Sequence, residues 1–214
     1  DRWGNAVSPT VGISSMPAGG TLRLRAVVGR GFRAPSFKEL AWDFANLGAG
    51  YTVQGFADLE PESSWNVTAG ATWAPSARST IGVEAYSNRI DNLIETTFVG
   101  NNAGGLLIYS PRNLSRAETR GIEATGSLRL AGWDAQAEYV LLDARSRDDE
   151  LPLDRRSRHS ARLRLGRMVP VLNGLLLNAS AHMTGDAPLV GIDDLGQRSV
   201  IGTQRRFVSL DAQA

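Results

Sequence analysis

Trp65-Asn66-Val67-Thr68-Ala69-Gly70-Ala71-Thr72-Trp73 is the stretch that decides the fold. Trp65, Val67, Ala69, Ala71 and Trp73 take alternate positions, with Asn66, Thr68, Gly70 and Thr72 between them. A strand throws successive side chains to opposite faces, so this period of two predicts one apolar and one polar face. The same signature recurs on both sides of it. Leu22, Leu24, Ala26 and Val28 oppose Thr21, Arg23 and Arg25, and Ile122, Ala124, Leu128 and Leu130 oppose Glu123, Thr125, Ser127 and Arg129. Trp133, Ala135, Ala137, Tyr139 and Leu141 alternate with Asp134, Gln136 and Glu138. Three further segments follow the rule, around Ala161 to Leu165, Leu175 to Ala181 and Val208 to Ala212, and a weaker one lies at 7–14. The segment from Thr80 starts with Ile81, Val83 and Ala85 on one face and changes phase before Ile90 and Ile94, which predicts a β-bulge at 86–89. The expectation is about nine antiparallel strands, each near the roughly 9 to 11 residues that a tilted membrane strand needs.

The connections alternate too. Short turns at 15–20, 74–79, 131–132 and 168–173 are interleaved with longer connections at 34–62, 100–105, 146–152 and 185–206. In an up-and-down meander, alternate connections share one end, so one end is trimmed and the other elaborated. Arg23, Arg25, Glu84, Glu123, Arg129, Glu138, Arg162 and Arg164 fall on the polar faces. A charge facing lipid at the midplane costs about 2 to 4 kcal/mol, so in a barrel these eight point into a wet lumen. A soluble antiparallel sheet with one solvated face makes the same alternation and stays open at this point.

Composition narrows the classes. The chain has 214 residues and no linker-like stretch, with 23 Lys and Arg against 22 Asp and Glu for a net charge of +1. That balance gives no field pointing to nucleic acid. The absence of cysteine excludes a disulfide framework, thiolate metal sites and a cysteine nucleophile, and suits an oxidising compartment. No run of 18 apolar residues is present, which excludes a membrane-spanning helix but not a barrel, whose strands never look apolar on average. Residues 1–10 lack the pattern of a secretory signal.

Other patterns carry less. Gly29-Arg30-Gly31 lacks the third glycine and following helix of a dinucleotide loop. His159 beside Ser160, and His182 ahead of Asp186, read as strand residues rather than catalytic or metal sites. Asp148-Asp149-Glu150 with Asp154 lacks the ligand spacing of a calcium loop. Three sequons, at Asn66, Asn113 and Asn178, fall in or near strands. Trp65, Trp73, Trp133 and Tyr139 lie on apolar faces near strand ends, where aromatic girdles anchor barrels. Ser36-Phe37-Lys38-Glu39 has the form of a capping box, predicting one helical turn after Pro35, and Pro61 marks the boundary of the next strand.

Three stretches resemble TonB-dependent outer-membrane receptors. They are Gly29-Arg30-Gly31-Phe32-Arg33-Ala34-Pro35-Ser36-Phe37-Lys38-Glu39-Leu40, then Leu59-Glu60-Pro61-Glu62-Ser63-Ser64-Trp65, then Asn113 with Ala117-Glu118-Thr119-Arg120-Gly121-Ile122-Glu123. Ala57-Asp58 departs from the Asn-Pro such receptors often carry before the second stretch. The resemblance implies an all-β, antiparallel up-and-down transmembrane barrel of which 1–214 is a part, without the plug domain and the last strands. Of a barrel of about 22 strands, the piece is expected to supply about strands 12 to 20. Gly121, on the lumenal face, is read either as room for a plug or as turn or bulge chemistry.

The implied function is uptake of a ferric siderophore, cobalamin or similar scarce nutrient across a bacterial outer membrane. TonB, contacted through the N-terminal region, supplies the energy, and the receptor does no chemistry on its cargo. Substrate-contact candidates follow from loop position: the aromatic-rich connection 34–62, with Trp42, Phe44, Tyr51 and Phe56, and the arginines Arg155, Arg156, Arg205 and Arg206, which suit an anionic chelate. No catalytic residue, metal ligand, cofactor or nucleic-acid partner is expected; the partners are TonB, the chelate and outer-membrane lipid. A passive porin or autotransporter barrel and a soluble β-sheet binding domain remain the rival readings.

Overall fold

The structure, a computed structural model, describes residues 3, 5–169, 174–192 and 197–213. In chain order its elements are β1 (Thr10–Ser15), β2 (Leu22–Arg33), α1 (Phe37–Ala41), β3 (Phe44–Asn46), β4 (Tyr51–Val53), β5 (Glu62–Ser76), β6 (Ser79–Asn101), β7 (Leu107–Leu130), β8 (Trp133–Ser146), β9 (His159–Val169), β10 (Leu175–Thr184), β11 (Ala187–Ile192), β12 (Arg198–Gln204) and β13 (Phe207–Gln213). Nine strands form one wall in the order β1-β2-β5-β6-β7-β8-β9-β10-β13, each antiparallel to its neighbour. This is the expected meander, curved on itself as part of a barrel.

Register fixes which side chains share a face. Leu24, Ala71, Val83, Ala124, Tyr139 and Ala161 are consecutive cross-strand partners along one row, and Arg25, Gly70, Glu84 and Glu123 along an adjacent one. The first row belongs to the apolar face; the second belongs to the polar face, and all eight charges expected in the lumen share its parity. Ile81, Val83, Ile122, Leu128, Leu163 and Leu210 are all more than two-fifths exposed. Trp65, Trp73, Trp133 and Tyr139 are exposed on the same face, as a lipid-contacting girdle requires.

The turns at the trimmed end are tight. Ala131 and Gly132 have φ of 51° and 80°, the left-handed pair of a two-residue hairpin. Ala77 and Arg78 alone separate β5 from β6, closed by a 2.8 Å hydrogen bond between the Ser76 and Ser79 hydroxyls. The β9–β10 turn falls partly on 170–173, outside the described residues.

Two expectations need correction. The ladders of β6 to β5 and β7 run through 86–89 without a register shift, so no bulge lies there. The phase changes instead at Asn92, whose φ is 57°: Ile90 before it and Leu93 after it pack on one cluster with Leu114, Ala117, Leu142, Ala144 and Leu153. The cause is environmental as well as local. Beyond the apolar band the outward face is wet, and the inward face becomes a packed core under the loops. The second correction concerns Gly121: a Cβ there would meet the Leu141 carbonyl oxygen and, at 2.6 Å, the Tyr86 hydroxyl. The close approach is therefore by the neighbouring strands, not turn or bulge chemistry, and the Tyr86 ring lies where a side chain would stand.

Candidate binding surface at the elaborated end

At the other end the strands outlast the apolar band. β6 and β7 contain 23 and 24 residues and meet in a ribbon whose tip, 102–106, is only a short turn. The sequence suggested a loop at 100–105; most of what looked like loop is ladder, with Phe98 opposite Tyr109. On this ribbon the long connection 34–62 is laid down. Its small hairpin, β3 with β4, docks through β4 in parallel to β7, pairing Tyr51 with Leu107 and Val53 with Tyr109. Leu59 is fully buried beneath it.

Local chemistry holds that connection. Pro35 ends β2, and Ser36 caps α1: its hydroxyl accepts from Glu39 N at 3.3 Å while Glu39 Oε2 accepts from Ser36 N at 2.7 Å, the reciprocal box expected. Arg33 spans to Glu39 at 2.9 Å and to Glu62 at 2.5 Å. Glu62 also accepts from Ile94 N, and Asn113 accepts from Glu60 N at 2.8 Å while donating to the Glu60 and Asn92 carbonyls. The three quoted stretches thus meet in one polar network that clamps both ends of the connection to the ribbon. Burial works to raise the Glu39 carboxyl, but hydrogen bonds from Ser36 and the Arg33 guanidinium outweigh it and hold it below its ordinary value.

The connection presents a continuous aromatic run. Trp42 and Phe44 have ring centroids 6.0 Å apart, Phe44 and Tyr51 6.4 Å, Tyr51 and Tyr109 6.1 Å, and Tyr109 and Phe98 6.0 Å, all tilted or edge-on, within the range where such rings attract. Lys38 Nζ sits 4.5 Å over Trp42. Phe56 stands apart from the run, stacked under the Arg112 guanidinium at 4.0 Å. Sequence reasoning found Trp42, Phe44 and Tyr51 but missed Phe98, Tyr109 and Arg112. They sit in strands, and only the parallel docking of β4 brings them to the loop.

The arginine candidates lie elsewhere. Arg155 and Arg156 are exposed in the β8–β9 connection, where Arg155 N donates to the Pro188 carbonyl and its side chain lies 3.6 Å from Asp154. Arg205 and Arg206 form the turn from β12 to β13, with Arg206 N donating to Asp186 at 2.7 Å. None of the four touches the aromatic run among the described contacts. The missed cation is Arg198, whose guanidinium meets Asp149 at 2.6 Å and Glu95 at 3.9 Å, tying the β11–β12 hairpin to the ribbon. Burial pushes the Glu95 carboxyl up; Arg198 and Arg156 pull it back and Asp154 adds to the rise. The acidic loop residues have structural partners: Asp148 accepts from Arg116, Asp149 from Arg198 and Asp154 from Val190 N. No group of metal-ligating side chains occurs among the described residues.

A curved antiparallel wall, apolar outside, charged inside, trimmed at one end and elaborated at the other, defines an outer-membrane barrel class. Residues 1–211 match the family described as TonB dependent receptor-like, beta-barrel. The chain belongs to that family, whose members are transporters of the outer membrane and not enzymes. It is 30% identical over 143 residues to the vitamin B12 transporter BtuB of Photobacterium profundum, covering 66% of this chain and 22% of that protein. It is 29% identical over 110 residues to an iron-regulated outer membrane virulence protein of Vibrio cholerae, covering 48% of this chain and 17% of that one. The fold matches the ferric enterobactin receptor PfeA of Pseudomonas aeruginosa with a TM-score of 0.70 at 21% identity, over 95% of this chain and 32% of that one. The copper transporter OprC matches with a TM-score of 0.69 at 16% identity, covering 95% and 30%. The chain therefore spans about a fifth of the first curated relatives and about a third of the solved barrels.

Proposed function

We propose that the protein carrying this chain is an active-transport receptor for a metal chelate, a ferric siderophore or cobalamin, energised through TonB, and that residues 1–214 supply part of its barrel and outer vestibule. A plug seated against the charged lumen transmits the pull of TonB, and the chelate crosses unchanged. The observation that carries the reading is the aromatic run Trp42–Phe44–Tyr51–Tyr109–Phe98, an apolar, π-rich strip at the elaborated end with Lys38 and Arg112 beside it. Flat aromatic or macrocyclic chelates bury area on such a strip, and the cations favour anionic ones. The sequence relatives named for vitamin B12 and iron regulation, and solved barrels named for ferric enterobactin and copper, support the class without choosing within it.

The test is binding by the full-length receptor, followed through tryptophan fluorescence, with ferric catecholate, ferric hydroxamate and cobalamin as separate probes. One probe is expected to bind, and replacing Trp42, Phe44 and Tyr51 together by Ala to weaken it by about tenfold or more, as loss of hot-spot aromatics does. Unchanged binding in that variant would remove the strip from the vestibule. Uptake that persists in cells lacking TonB would instead favour the passive barrel.

A further inference from the structure

Above the apolar band, the outward face of the wall changes chemistry within two residues of every strand. By register, Arg30, Trp65, Arg89, Glu118 and Arg145 form one row across β2, β5, β6, β7 and β8, on the lipid-facing parity. The row just below is Val28, Val67, Ser87, Arg120 and Asp143, and Arg116 stands just above. From Trp133 to Leu141 the apolar face of β8 runs eight residues, about 27 Å along the strand. At the roughly 40° tilt of such barrels this is about 20 Å of membrane depth, so the arginines begin where the band of about 25 Å ends.

These cations do not lie flat against their acids. Glu118 has a side-chain exposure of 8% beneath Arg89 and Arg147, which are 76% and 47% exposed at 3.6 and 3.4 Å. Arg120 and Arg116 are 57% and 65% exposed over Asp143 and Asp148, themselves 31% and 37%. The carboxylates form an inner layer that fixes the guanidinium planes, and the outermost charge is positive. Each guanidinium has five donors, and long contacts to one carboxylate leave several aimed outward. Nothing in transport of a chelate through the lumen uses a cationic band on the opposite face.

We propose that this band, Arg30, Arg89, Arg116, Arg120, Arg145 and Arg147, is a docking surface for the phosphorylated headgroups of outer-leaflet glycolipid. The inference rests on the outer-membrane reading of the family. The acyl chains lie on Ala26, Ala69, Ala85 and Ile122, continuous with the band, while the headgroup phosphates take paired guanidinium donors, the geometry that suits arginine better than lysine. Trp65, between Arg30 and Arg89, sits at the interface where its ring is favoured.

The test is lipid retention by the full-length receptor, measured by native mass spectrometry after exchange into neutral detergent, with diphosphoryl lipid A, its dephosphorylated form and phosphatidylglycerol as probes. The unaltered receptor is expected to hold diphosphoryl lipid A about tenfold or more better than the dephosphorylated lipid, and R30Q/R89Q/R120Q to abolish that preference, three headgroup-level arginines being removed. The lumenal variant R162Q/R164Q should keep it. Equal retention of the two lipid A forms by the unaltered receptor, which needs no variant to fold, would overturn the proposal, as would an equal loss in the lumenal variant. Preference for phosphatidylglycerol over lipid A would also overturn it, by assigning the surface to phospholipid. Failure of the receptor to fractionate with the outer membrane would remove the reading beneath it.

Discussion

β6 and β7 pass through two regions that obey opposite rules. Below Asn92 they belong to the wall, where apolar side chains such as Val83 and Ala124 face outward and Glu84 and Glu123 face inward, directly opposite each other. Above it the same strands bury Leu93 and Leu114 inward against Leu153 and cover their inner face with the connections 34–62 and 147–158. The wall is stabilised by ladder hydrogen bonds and its lipid face, and holds almost nothing at its centre. The elaborated end has a small true core, with Leu59 and Ala117 essentially inaccessible, and depends on caps and ion pairs to order its backbone. A barrel can therefore change its loops without disturbing its wall, because different forces hold the two.

The comparison breaks most visibly if one charge is placed on each face of the wall. Val83→Arg, on the outward row, is expected to cost about 2 to 4 kcal/mol, whereas Thr125→Arg, beside the lumenal Glu84 and Glu123, costs close to nothing. Urea unfolding of the full-length receptor in phospholipid vesicles measures both, and equal losses would mean the faces are misassigned. A smaller effect, about 1 to 3 kcal/mol, is expected for Gly121→Ala, because a methyl group there collides with the Tyr86 hydroxyl and a backbone carbonyl. Trimming the ring with Tyr86→Leu should recover part of the loss and leave the share due to the Leu141 carbonyl. No recovery at all would show that the ring is not what fills the notch.

The smallest effect sharpens the other side of the comparison. Glu39 is held below its ordinary value, so the stability it contributes to α1 is complete above the usual carboxylate range, near pH 4.3, and is lost as pH falls through its folded value. Glu95 is raised, so its charge disfavours the folded ribbon at neutral pH, and that cost is relieved as pH falls through the raised value. Hydrogen exchange between pH 7 and 4, corrected for the intrinsic rate, should therefore show the ribbon near Glu95 gaining protection while α1 holds steady. Glu95→Gln should remove the gain, and parallel loosening of both segments would contradict the assignment.

Much of the wall was legible in the residues. Alternation at Trp65 to Trp73 and its repeats gave the strands and the face of each, since a period of two survives any register. Ser36 and Glu39 gave the capped turn because the box is complete within four residues, and Pro35 and Pro61 gave the limits of β2 and β5. The bulge at 86–89 was misplaced because Ile90 was measured against a membrane that β6 had already left, and Asn92 carries no pattern that announces a positive φ. Half of the aromatic candidates were likewise legible, as loop composition, but not their assembly.

The sequence by itself determined the barrel class, the alternation of short and long connections, the inward placement of the charges and the family. Those properties depend on local periodicity and on short contiguous stretches. Only the tertiary structure decided that Tyr51 meets Tyr109, that Glu60, Asn92 and Asn113 share one network, that Arg198 secures the outer hairpin, and that six arginines line up on the lipid side. Each joins residues tens of positions apart through strand register, and register is a property of paired strands, fixed by how neighbouring faces meet rather than by either strand alone.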